Sequence, residues 1–193
     1  LSGRCFEGPA EDLNRTDISQ PAILACSVAC WHGLQASGVE TTAVAATGLS
    51  LGEYTALHLA GVLSFEDALR TVAARGRLMQ EAAETSDGGM VAVMGEADES
   101  LIRSFCDDVL KTQPDGAVLV SANFNAPGQI VLSGSREACE AAVGLAGDAG
   151  FRAKSLTVAG AFHSPLMQPA ADRMAEVLDD IDFQPPAVPV WSN

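Results

Sequence analysis

The segment TGLSLGEYTALHLAG, residues 47–61, sets Ser50 between two glycines, Gly48 and Gly52. Before it, TTAVAAT (41–47) is a short run of β-branched and small residues that predicts a strand. After it, EYTALHLAGV (53–62) predicts a helix. A serine on a strand–turn–helix junction is the setting of a nucleophile elbow: the glycines permit the sharp turn that exposes Oγ. The helix start adds N–H groups and a positive dipole, and the Leu51 N–H can donate to an oxyanion forming on the adjacent carbonyl. Alone, Gly-x-Ser-x-Gly arises by chance in on the order of one chain in ten or twenty of this length. A serine that caps the helix of an ordinary Gly-rich turn fits the five residues equally well.

Working outward, DISQPAILACSVACWHGLQASG (17–38) predicts a helix that opens near Ser19, with Pro21 in its first turn and Gly38 beyond its end. Ser64 with Asp67 forms a capping-box pattern for the helix after the elbow, whose apolar stripe is Leu69, Val72, Ala73, Gly76, Met79 and Ala83. The polar break ETSDGG (84–89) ends that pattern. Beyond it the spacing predicts a strand at MVAVMG (90–95), a helix at 98–110 capped by Asp98, strands at AVLVSAN (117–123) and QIVLSGS (129–135), a helix over 136–150 and a strand at RAKSLTVAG (152–160). This βαββαβ order is the ferredoxin-like unit, spanning 89–158. The chain then runs through GAFHSPLMQPAADRMAEVLDDI (160–181), a His at a strand end followed by a helix, to a last strand in PPAVPVWSN (185–193).

The 193 residues suffice for one large domain or two small ones, and 48% hydrophobic residues argue against disorder. No apolar run approaches the roughly 20 residues that span a bilayer. A net charge of −14 argues against nucleic acid, whose phosphates it would repel, and an anionic substrate would require a local cation. Cys26 and Cys30, four apart in AILACSVACW with His32 close by, are predicted as buried helix cysteines rather than metal ligands. An odd count of five cysteines without a signal peptide favours a reducing, cytoplasmic setting.

A serine nucleophile needs a base, and the chain has three histidines. His32 and His58 fall inside helical patterns and read as packing or surface groups. His163, in VAGAFHSP, lies between a strand and the helix start at Ser164-Pro165, where side chains reach sites at strand ends; a structural loop residue would sit there as readily. Among the arginines, Arg70 has Glu66 four residues before it and Arg77 has Glu81 four after, so both read as solvated pairs. Arg75 has Thr71, Val72, Leu78 and Met79 at those positions and no acid, beside an apolar face. That placement suits a carboxylate ligand held bidentately, and equally an exposed arginine or one paired through the tertiary fold.

Taken together, GLSLGEYTAL (48–57), RGRLMQEA (75–82), SANFNAPGQIVLSG (121–134) and AGAFHSPLM (159–167) resemble, in that order, the malonyl-CoA:acyl carrier protein transacylases and the related acyltransferase domains of polyketide synthases. The opening FEGPAEDLNRTDISQPAI (6–23) is similar to the family too. The resemblance implies an α/β fold: an α/β-hydrolase-like large subdomain, 1–88 and 159–193, with an inserted ferredoxin-like small subdomain, 89–158. It implies that Ser50 carries the acyl group, that His163 is its base and that Leu51 gives an oxyanion N–H. It further implies that Arg75 grips a malonyl carboxylate, that Met79 walls the acyl pocket and that Asn123 and Asn125 lie in a loop near the site. Phe162 before His163 is similar to the malonyl-selective members. The partners implied are malonyl-CoA and acyl carrier protein, in fatty acid or polyketide synthesis, with no metal or cofactor.

Two features depart from the family: Leu49 stands where many members have His, and the family's N-terminal Gly-Gln-Gly and C-terminal segments are absent. Both ends of the large subdomain are therefore expected to be truncated. A serine hydrolase of acyl thioesters and a catalytically incomplete carrier-docking fragment stand as rival readings. Arg103, Lys111, Arg152 and Lys154 all fall within 89–158, which makes that segment the expected docking face for an acidic carrier.

Overall fold

The computed structural model describes residues 1–96 and 98–192. The chain divides into two compact units, Leu1–Leu78 with Arg173–Asn193, and Met79–Asp172.

The first unit opens with α1 (Ser2–Glu7), a 3-10 turn (Ala10–Asn14) and the long helix α2 (Thr16–Ala36). Helix α2 begins three residues earlier than the predicted start at Ser19, so Pro21 lies inside it rather than in its first turn. The first turn is closed without proline by Ile18 and Ser19, whose N–H groups donate to Arg15 O. The row Thr16, Gln20, Leu24 and Val28 is buried along one face, which explains the early start: two polar residues extend the apolar row inward. Cys26 and Cys30 are exposed, contrary to the buried placement predicted for them. Each lies two residues beyond a member of the buried row, about 200° round the helix. Among the described residues no group of three or more His, Cys, Asp or Glu gathers as metal ligands would.

Strand β1 is only Ala46–Thr47, not the whole of 41–47, because a ladder forms only where β6 (Val190–Trp191) runs parallel beside it. Ala46 N–H donates to Pro189 O at 2.8 Å and Thr47 Oγ1 to Trp191 O at 3.3 Å. Asn193, the end of the predicted last strand, lies outside the described residues. Helix α3 (Gly52–Leu59) follows the serine turn, and α4 (Phe65–Thr85) starts where Ser64 Oγ accepts from Asp67 N–H (3.0 Å) and donates to Asp67 Oδ2 (2.6 Å). Leu24, Leu51, Leu63, Ala68 and Val72 form the core of this unit, with Tyr54, Leu57, Leu69 and Ile181 against it. Of the predicted α4 stripe, Val72, Gly76 and Ala83 are buried and Leu69 and Met79 half-buried, whereas Ala73 is exposed and Thr71 takes its place. A Cβ at Gly76 would stand 2.7 Å from Thr16 O, so glycine there lets the α4 backbone approach that of α2.

The second unit carries β2 (Gly88–Met94), α5 (Glu99–Leu110), β3 (Leu119–Ala126), β4 (Gln129–Ser135), α6 (Arg136–Leu145) and β5 (Arg152–Ser155). The four strands form one antiparallel sheet in the order β3-β4-β2-β5. The central strand β4 is buried continuously from Ile130 to Gly134. Val91, Val93, Ile102, Phe105, Val109 and Leu132 fill the core, and Phe151 meets Phe105 edge-on with ring centroids 5.4 Å apart. Asp98 caps α5 by accepting from Leu101 N–H at 2.8 Å. Strand β5 stops at Ser155 rather than running to 160, since its register on β2 ends opposite Val91 and 156–159 are exposed. A 3-10 turn (Pro165–Met167) leads into α7 (Gln168–Asp179). No helix among the described residues is long and apolar enough to cross a membrane.

Candidate active site

Ser50 sits in the left-handed region, φ 52°, where a non-glycine side chain is strained. The turn is held from both sides. Before it, a Cβ on Gly48 would lie 2.0 Å from the carbonyl carbon of Gly52, so only glycine permits the chain to fold back this closely. After it, Leu51 is anchored in the core of the first unit. Gly52 N–H donates to Leu49 O (2.8 Å) and Glu53 N–H to Ser50 O (3.3 Å), closing the turn at the start of α3. Leu51, not Ser50, is the N-cap residue of α3, so the serine side chain is not consumed as the cap that an ordinary turn would make of it. The Leu51 N–H is one of the donors that a helix start leaves outside the helical ladder.

Arg75 reaches this serine from α4. Its Nη2 donates to Ser50 Oγ at 3.0 Å and its Nη1 to Gln20 Oε1 at 2.6 Å. The guanidinium lies 5.7 Å from the centroid of the Tyr54 ring, within cation–π range. Burial lowers its pKa from the ordinary guanidinium value, while Tyr54 and Glu53 act in the opposite direction. The Tyr54 hydroxyl is raised, by burial first, with Arg75 opposing. The sequence correctly withheld a helical carboxylate from Arg75 but did not reveal Gln20 or Tyr54. The missed signal is the spacing Thr16, Gln20, Leu24, Val28: polar residues at the head of an apolar row.

His163 has φ 59°, and it and Ser50 are the non-glycine residues with positive φ among those described. Its neighbours are pinned: Ala161 and Ser164 are buried. Ser164 Oγ donates to Ala161 O at 2.7 Å and accepts from Leu166 N–H at 3.3 Å. Phe162, half-buried, donates through its N–H to Gly160 O. Asn123 and Asn125 lie on β3 rather than in the expected loop, because the strand pairs with β4 as far as Ala126; its register shifts between Ser121 and Asn123 and again between Phe124 and Ala126. Met79 is half-buried on α4, one turn beyond Arg75. Ser50, Leu51 and Arg75 thus meet within the first unit; Met79, Asn123, Asn125, Phe162 and His163 belong to the second. His58, by contrast, is engaged in packing, with Nδ1 3.0 Å from Leu63 O and its ring against Phe65.

Residues 6–193 match the family model of the acyl transferase domain. The malonyl CoA-acyl carrier protein transacylase of Salmonella typhimurium is 45% identical over 188 residues, covering 97% of this chain and 59% of the relative. The crystal structure of an acyl carrier protein S-malonyltransferase from Vibrio cholerae superposes with a TM-score of 0.88 at 42% identity, covering 99% of this chain and 61% of that one. A type II PKS acyl-carrier protein in complex with its malonyl-transacylase matches with a TM-score of 0.90 at 42% identity, covering 100% and 60%. The chain spans about three-fifths of the length of the curated relatives it matches.

Proposed function

Because the chain belongs to the acyl transferase domain family, we propose that the protein moves a malonyl group from coenzyme A to the phosphopantetheine thiol of an acyl carrier protein through a Ser50 ester. One observation carries this reading: a guanidinium N–H of Arg75 lies 3.0 Å from the Oγ of a serine held in strained backbone at a helix start. A fixed cation beside a nucleophile is what an acyl group ending in a carboxylate requires.

In this mechanism His163 accepts the proton of Ser50 Oγ, which attacks the thioester carbonyl while the Leu51 N–H stabilises the oxyanion. The tetrahedral intermediate collapses, the C–S bond breaks and coenzyme A leaves as its thiol with the proton returned from His163. The carrier thiol, deprotonated by the same imidazole, then attacks the ester and restores Ser50. The malonyl carboxylate takes over the Arg75 N–H that donates to Ser50 Oγ. Acyl groups without a carboxylate leave that charge unanswered and are rejected. Met79 and Phe162 shape the acyl pocket, with Asn123 and Asn125 near it.

The relatives' names and the carrier complex support malonyl-CoA and acyl carrier protein as partners. The five free thiols support a cytoplasmic setting. The strand order β3-β4-β2-β5 supports a ferredoxin-like subdomain over 89–158, and the parallel β1–β6 pair beside the serine turn supports an α/β-hydrolase-like subdomain from 1–88 and 159–193.

Incubation of the intact protein with malonyl-CoA should add one malonyl ester, on Ser50, by intact-mass and peptide spectra. Ser50→Ala should abolish the adduct; His163→Ala should slow its formation strongly while leaving the nucleophile in place. No adduct, or an adduct on another residue, sinks the assignment.

A further inference from the structure

We propose that Gln20 is the positioning residue of Arg75, and through it sets the preference for an acyl group that ends in a carboxylate; this rests on the roles given above to Ser50 and Arg75. Gln20 is 5% exposed and Thr16, one turn before it on α2, is 7% exposed. Gln20 Nε2 donates to Thr16 Oγ1 at 2.7 Å, and its Oε1 accepts from Arg75 Nη1 at 2.6 Å. The buried carboxamide is thus held at one end by its own helix and holds the arginine at the other. Gly76, next to Arg75, makes this possible by letting α4 come within 2.7 Å of Thr16 O at the position a Cβ would fill.

The chemistry of position 20 matters as much as its place. A guanidinium carries five N–H donors in a rigid plane, so fixing Nη1 also fixes where Nη2 points, and here Nη2 points at Ser50 Oγ. An amide oxygen orients the plane without cancelling the charge. A carboxylate at the same place would orient it and also neutralise it, leaving little attraction for an incoming malonyl group. Burying a long polar side chain is unfavourable unless its groups are bonded, and both ends of this carboxamide are. Tyr54 covers the guanidinium at 5.7 Å, so its plane is constrained by an amide at the edge and a ring beside it. Preorganisation of this kind removes the cost of ordering the cation when the ligand arrives.

The test compares kcat/KM for Ser50 acylation by malonyl-CoA and by acetyl-CoA in the intact protein. Because the measured quantity is a ratio, it does not depend on how much of a preparation is folded. Gln20→Met removes the acceptor at similar volume and should lower the malonyl-to-acetyl ratio by roughly ten-fold, the scale of a hydrogen bond to a charged group. Gln20→Glu should lower it too, through neutralisation. In an Arg75→Ala background, Gln20→Met should change the ratio no further. If Gln20→Met does not fold, Thr16→Val, which frees one end of the carboxamide, should give a smaller fall in the same direction.

An unchanged ratio in the Gln20 variants, alongside a collapsed ratio in Arg75→Ala, overturns the role of Gln20 and leaves that of Arg75 standing. An equal loss for both substrates that persists in the Arg75→Ala background shows a merely structural glutamine and overturns it as well. No malonyl ester on Ser50 in the wild type, or a ratio indifferent to Arg75→Ala, overturns the underlying reading and Gln20 with it.

Discussion

Ser50 and His163 share a backbone state that most side chains avoid, and in each case buried neighbours enforce it: Leu51 for the serine, Ala161 and Ser164 for the histidine. The two glycines around Ser50 are not equivalent. A Cβ at Gly48 meets the Gly52 carbonyl group within 2.1 Å, whereas one at Gly52 meets nothing within 4 Å. Gly48→Ala should therefore abolish malonyl labelling of Ser50, while Gly52→Ala should retain most of it; equal losses would show that the turn is not held by that contact. For Arg75→Ala, the expected loss in malonyl-CoA kcat/KM is about 2–3 kcal/mol, roughly a hundred-fold, from a charge-assisted contact. Acetyl-CoA should be used as well or better, since the unanswered charge is gone. A parallel fall for both substrates would make Arg75 structural.

Among the elements, α4 combines two tasks: its start is fixed by the Ser64–Asp67 reciprocal bonds and its middle delivers Arg75. Ser64→Ala should cost about 1 kcal/mol in urea unfolding with an unchanged m-value, as loss of a helix cap does. Helices α2, α5 and α6 separate the cysteines into two classes. Cys26 and Cys30 face outward on α2, whereas Cys106 on α5 and Cys139 on α6 are buried. Burial pushes the Cys106 thiol up to about 11 and raises Cys139 in the same direction, so neither supplies thiolate near neutrality. Iodoacetamide at pH 8 should label Cys5, Cys26 and Cys30 in the native protein and spare Cys106 and Cys139 until it unfolds. Native labelling of Cys106 would contradict the packing of α5. Sign follows from the raised pKa: the contribution of Cys106 to stability is complete below about pH 9, the free-thiol value, and declines as pH rises through about 11.

Over these 193 residues a charge of −14 would repel the acidic carrier proposed above, so encounter would depend on local cations. Of the four expected in the docking face, Arg103 is paired with Glu99 and Lys111 with Asp108, which leaves their positive fields largely answered. Arg152 and Lys154 are exposed, two residues apart on the edge strand β5, and so project on one side of the sheet. Reversing both charges should lower kcat/KM for the carrier at low salt and converge with wild type as salt rises, with malonyl-CoA acylation of Ser50 unaffected. An unchanged carrier rate at low salt would remove this patch from the docking face.

The sequence by itself determined what local physics governs. The strands at 90–95 and 129–135, the capping serine at 64, the Asp98 cap and the strand–turn–helix setting of Ser50 all follow from short apolar runs and from residues acting on their near neighbours. The absence of a helical acid beside Arg75 was legible for the same reason. Where strands ended was not: β1 shrinks to Ala46–Thr47 because β6 pairs with it over two residues only, and β5 ends at Ser155 although its partner β2 runs on to Gly88. The outward face of Cys26 and Cys30 depended on which row of α2 is buried, a choice made by packing. Tertiary structure also decided the partners of Arg75, since Gln20 lies 55 residues away in sequence and meets it only through the close approach at Gly76. Long-range contacts of that kind leave no period in the sequence to read.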